Sequence, residues 1–118
     1  MATLVSWILG AALTAIGVAG FAMGSPLLGF FEVDMLHNSI HLVSGLAGLF
    51  CASRGTGYAR MYLIVFGVVY GIVTVLGFVM DGSILGFMHV NIEDNFLHLV
   101  IAAAALGAGF GGKRRSSF

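Results

Sequence analysis

The chain has very little charge. Only 8% of its 118 residues are Asp, Glu, Lys or Arg, against 59% hydrophobic ones. A soluble domain carries about 25% charged residues, so a soluble fold is excluded: too little polar surface exists to cover such a core. The formal net charge is zero, which removes the electrostatic basis for nucleic-acid binding. There is one cysteine, Cys51, so no internal disulfide framework is available. There is one proline, Pro26, so the chain has little to interrupt its helices. The constellations of common enzymes are missing too. No nucleophile stands beside a base, no Gly-rich phosphate loop sits in a βα context, and no acids pair in a cleft. The expectation is a protein that is not an enzyme.

What is present is apolar length. Mean hydropathy is +1.06. A span needs roughly 20 residues to cross about 30 Å of hydrocarbon. Residues 3–23 and 61–80 carry no charge and fit that length, and further apolar segments cover about 35–52 and 92–110. The first run is too long for a secretory h-region and has no Lys or Arg before it, so it reads as a true span. Gly24-Ser25-Pro26 breaks the chain after it. The stretch from Ser53 to Arg60 reads as a polar link. The predicted fold is an all-α, single-domain membrane protein of four transmembrane helices over residues 1–118, with a basic tail at 111–118.

The charges sort by side. Arg54, Arg60, Lys113, Arg114 and Arg115 fall in the second-to-third connection and the tail. Glu32, Asp34, Asp81, Glu93 and Asp94 fall in the other two connections. The positive-inside rule places both termini in the cytoplasm, in a bacterial inner or thylakoid-type membrane.

The chain also matches itself. A shift of 57 residues carries Asn38 onto Asn95, and His41-Leu42-Val43 onto His98-Leu99-Val100. It carries Gly10, Gly20 and Phe21 onto Gly67, Gly77 and Phe78. The expected architecture is therefore two tandem helix-hairpin repeats. Each unit has two spans, so both insert with one orientation, about a pseudo-twofold axis parallel to the membrane normal.

The polar groups concentrate at the heads of the second and fourth segments. Asp34 and Asn91 are equivalent and are strong N-cap types. His37 and His41 are four apart and share a helix face, as do Asp94 and His98. Asn38 and Asn95 lie close to the same faces. Unpaired histidines are costly in a bilayer and usually face the bundle interior. Two readings follow. In one, Asp34, Asn38, Asn91 and Asn95 with the histidines form a structural polar layer that clamps helices by hydrogen bonds. In the other, the layer is a site. His37, His41, Asp94 and His98 suit a divalent transition metal, or His41 and His98 hold a tetrapyrrole, haem or chlorophyll. His89, in the second outer connection, reads as solvated.

Small-xxx-small patterns recur at Gly20/Gly24, Gly67/Gly71 and Gly107/Gly111. Such patterns let helix backbones approach closely. With the small size they suggest an accessory subunit that packs, within the lipid bilayer, on a larger respiratory or photosynthetic complex, or a homo-oligomer. A transporter or channel is disfavoured, because no acid or base lies mid-span.

The segments Leu36-His37-Asn38-Ser39-Ile40-His41 and Asp94-Asn95-Phe96-Leu97-His98, with Ala59-Arg60-Met61-Tyr62 and Phe66 to Tyr70 between them, resemble a family. It is a group of small bacterial four-helix membrane proteins known only as a domain of unknown function. The resemblance runs from about Leu28 to Leu106. It implies the same fold and topology and brings no activity with it.

Overall fold

The structure is a computed structural model that describes residues 1–23, 34–80, 83–84, 86 and 88–111. The break expected at Gly24-Ser25-Pro26, the charges Glu32 and Asp81, and the tail Lys113-Arg114-Arg115 lie outside the described residues, as does the His89 side chain.

Four helices make up the described chain: α1 (Ala2–Met23), α2 (Met35–Arg54), α3 (Thr56–Val79) and α4 (Ile92–Phe110). All four are long and apolar enough to cross a membrane. Between α3 and α4 lies a ladder of two-residue strands, β1 (Ser83–Ile84) and β2 (Met88–His89), paired antiparallel. The expected short connection thus has a hydrogen-bonded hairpin of its own. Its buried Ile84, Met88 and Val90 rest on Ile40, Val73 and Leu76, which seats it on the ends of α2 and α3.

The inward faces repeat at helical spacing, and they are small or polar. On α1 they are Ala2, Ser6, Gly10, Leu13, Gly17 and Gly20. On α2 they include His37, Asn38, His41, Ser44, Gly45 and Gly48. The large apolar side chains point outward, among them Ile8, Phe21, Val43, Phe50, Val68, Ile72, Phe96 and Val100. This inverts a soluble protein, as expected where lipid is the solvent and helices associate by close packing and polar contact.

α1 packs mainly on α2 and α3 mainly on α4, while contact between these hairpins is sparser. In the first hairpin the backbones nearly touch. A Cβ on Gly10 would lie 2.6 Å from the Leu49 nitrogen and 3.0 Å from the Gly45 carbonyl oxygen. The second hairpin is held slightly apart, since the Leu106 and Ala105 side chains fill the space over Gly67.

The polar link expected between the second and third spans is helical almost throughout. α2 continues to Arg54 and α3 begins at Thr56, so Gly55 alone separates them. Gly55 has φ 123° and ψ 174°, a conformation that residues with a Cβ rarely adopt. The charges around it mark where water begins and do not break the helices. Arg54 lies over the rings of Phe50 and Tyr58, 5.5 Å from each centroid. Arg60 donates from Nη1 to the Gly109 carbonyl at 3.1 Å, satisfying an acceptor at the C-terminal end of α4 that has no partner within its own helix.

Candidate functional site

α2 and α4 start at the same end of the bundle, each with a side-chain cap. Asp34 Oδ1 accepts from the His37 backbone N–H at 2.7 Å. Asn91 Oδ1 accepts from the Asp94 N–H at 2.8 Å, and Asp94 Oδ2 accepts from the Asn91 N–H at 3.0 Å. The second pair is a reciprocal capping box. These caps fix where each helix begins. They therefore fix the azimuth at which the following histidines leave it.

Within one to two turns of the caps, three imidazoles meet. His37, His41 and His98 are 1%, 2% and 1% exposed. A donor nitrogen from each lies within 4.8 Å of those from the other two. His37 Nε2 and His98 Nε2 are 3.4 Å apart, bridging α2 and α4. The ring centroids are 4.5 Å apart for His37 and His41, 5.4 Å for His37 and His98, and 5.7 Å for His41 and His98. Neither ring nitrogen of His41 has a hydrogen-bond partner among the described residues. A polar atom removed from water without a partner costs about 1–3 kcal/mol.

The three nitrogens converge without Asp94. That residue is 1% exposed and close in sequence, but its Oδ2 is engaged in the capping box. Asn38 and Asn95 sit behind the imidazoles rather than among them. The Asn38 amide rests on Gly20 of α1, and the Asn95 amide on Gly77 of α3. Each contact is one of packing: neither Asn38 Oδ1 nor Asn95 Oδ1 has a hydrogen-bond partner among the described residues, so the hydrogen-bonded clamp expected of these two residues is not formed through their amide oxygens. Asp34 and Asn91 act as caps.

Tyr70 also joins the site. Its ring stacks on His41 at 6.4 Å with an interplanar angle of 11°, and it contacts His98 at 5.6 Å. The available signal was its spacing of seven from Gly77, which places both on the inward face of α3. Below this layer, Tyr62 donates to the Ser44 carbonyl at 2.8 Å and Ser6 to the Gly48 carbonyl at 2.9 Å. The polar interior therefore continues down the bundle as side chain to backbone bonds.

Three imidazoles in a closed, lipid-bounded interior can share a proton or hold a metal ion. One family profile, described as Domain of unknown function (DUF4383), matches residues 3–111. No curated protein and no solved structure matches the chain.

Proposed function

The chain belongs to the family described as Domain of unknown function (DUF4383), and from the geometry of its interior we propose that it binds a transition-metal ion within the membrane through His37, His41 and His98. The observation that carries this reading is the 3.4 Å between His37 Nε2 and His98 Nε2. Two imidazole nitrogens bonded to one ion at about 2.0–2.1 Å, with near-tetrahedral angles, stand roughly 3.3–3.4 Å apart. The pair already has the separation of two ligands on one metal. His41 completes the set with nitrogens that hold no other partner among the described residues.

A bare ion suits this arrangement better than a tetrapyrrole. A macrocycle held between His41 and His98 needs an open slot between their rings. His37 lies 4.5 Å from one ring and 5.4 Å from the other, where the slot would be. In this reading the protein holds an ion rather than turning over a substrate. Asp34 and Asp94 supply nearby negative charge while remaining engaged at the N-termini of α2 and α4.

The topology belongs to the same proposal. Arg54 and Arg60 mark the cytoplasmic side by the positive-inside rule, so the histidine layer lies toward the opposite face. The duplicated hairpin, with its 57-residue offset, is supported by two matched pairs: Gly20 with Asn38 and Gly77 with Asn95.

The test is the metal content of protein purified from native membranes, followed by titration of the stripped protein with zinc, cobalt or copper. About one ion per chain, lost in His41→Ala, is expected. A folded protein that carries no metal and takes up none of the three removes the reading.

A second reading, an accessory subunit of a larger membrane complex, is favoured by one observation. Gly71 meets nothing within 4 Å and lines an open apolar groove with Val75 and Leu106. Cross-linking from cysteine at position 72 in native membranes tests it. A single adduct with another protein supports it, and adducts only between copies of this chain replace it with a homo-oligomer.

A further inference from the structure

We propose that Arg54 holds the phosphate of an anionic phospholipid headgroup, at the end of the bundle opposite the histidine layer. All four helices reach this end. α2 ends and α3 begins here. α1 begins here too, with its Thr3 Oγ1 3.2 Å from Thr56 Oγ1 of α3. α4 ends here, where the Gly109 carbonyl accepts from Arg60. Among the described residues this end carries Arg54 and Arg60 and no acid, because Asp34, Glu93 and Asp94 all lie where α2 and α4 begin. Its side-chain charge is positive and suits an anion.

The two arginines differ in what their nitrogens do. Arg60 is half-buried and donates to α4. Arg54 is exposed and makes no hydrogen bond or ion pair among the described residues. Its contacts are with two aromatic faces: Cζ stands 5.5 Å from the centroid of Phe50 and 5.5 Å from that of Tyr58. Phe50 lies one turn earlier on α2, and Tyr58 lies in the first turn of α3. The guanidinium is therefore braced across the Gly55 turn from both helices.

Stacking of this kind uses the faces of a guanidinium and leaves its edge. The edge carries five N–H donors in a fork that fits two oxygens of one phosphate. A long side chain loses rotamer freedom when it binds, and the two rings have already restricted this one, which lowers the ordering cost. A Cβ built on Gly55 would meet nothing within 4 Å, so the turn beside Arg54 leaves room for a headgroup. The rings also select the class of partner. Phe50 and Tyr58 are 56% and 46% exposed, on helices long and apolar enough to cross a membrane. A phospholipid covers these rings with its glycerol and acyl carbons while its phosphate meets the arginine. A free phosphate would leave them bare.

The test is native mass spectrometry of the full-length protein released from bilayers of equimolar phosphatidylglycerol and phosphatidylcholine. Wild type should retain phosphatidylglycerol over phosphatidylcholine by about fivefold more than Arg54→Gln does, the ratio expected from one basic residue at a membrane surface. Arg54→Lys keeps the charge without the planar fork and should keep less than half of that preference. The double variant Phe50→Leu, Tyr58→Leu keeps Arg54 and should lower the preference about twofold. Each variant should retain the helical circular dichroism of wild type, since none of these side chains lies in the buried interior. Equal retention of the two lipids by wild type, or an undiminished preference in Arg54→Gln, overturns the proposal. A full preference in Arg54→Lys overturns the braced fork as its cause. None of these outcomes bears on the histidine layer, so the metal-binding reading stands or falls separately.

Discussion

The Asn38 amide lies on Gly20, so close that a Cβ at residue 20 would collide with the amide oxygen. Asn95 lies on Gly77 in the same way. Gly20→Ala and Gly77→Ala should each destabilise the bundle by about 1–3 kcal/mol, the usual cost of overpacking. Gly71→Ala meets open space. It should be neutral, or stabilising by up to about 1 kcal/mol through helix propensity. Thermal unfolding in a mild detergent separates the three. Equal losses at all three positions would show that the asparagine contacts are not the cause.

The caps should differ in weight. Asp34→Ala removes one side-chain acceptor from α2, whereas Asn91→Ala breaks a reciprocal box on α4. Each cap is worth about 0.5–2 kcal/mol, with the larger loss at Asn91. Because His98 follows two turns later, Asn91→Ala should also weaken metal binding. Parallel melting and metal titrations check both effects.

Tyr62 combines a hydrogen bond with bulk. Tyr62→Phe removes only the donor to the Ser44 carbonyl, so a loss of about 0.6–1.7 kcal/mol is expected for a polar contact in a membrane bundle. Tyr62→Ala also empties the space over Gly48, against which the ring lies, and should cost about 3–5 kcal/mol. A ratio near one between the two losses would contradict the packing role.

Metal should stabilise the folded state by mass action. At a free concentration one hundred times Kd the gain is about 2.7 kcal/mol. Wild type should therefore melt at a higher temperature with metal, and a chelator should reverse the shift. His41→Ala should not respond. An unchanged wild-type melting curve at saturating metal would count against binding to the native state.

Much of this architecture is legible in the sequence. The charge-free run at 3–23 becomes α1, and Asp34 and Asn91 become caps, because both features act locally. The boundary after α2 is less so. Arg54 and Arg60 read as a loop, since polarity reports water and not helix ends, while the chain turns at Gly55 alone. The shared face of His37 and His41 follows from helical spacing. The approach of His37 to His98 does not, because it crosses from one hairpin to the other and depends on how the two hairpins sit together, which no local spacing encodes. Asp94 illustrates a competition that spacing cannot resolve. Its offset of four from His98 suits a ligand, but as the third residue of α4 it also suits a cap, and its Oδ2 bonds the Asn91 N–H.

Gly55 is the sole covalent hinge between α2 and α3, and the α1–α2 and α3–α4 pairs touch each other less than their own members do. His37 and His41 come from one pair and His98 from the other. An ion shared by the three would thus act as a rivet across the seam between two half-molecules. Its loss would be felt as slippage of one half against the other, with every helix still wound.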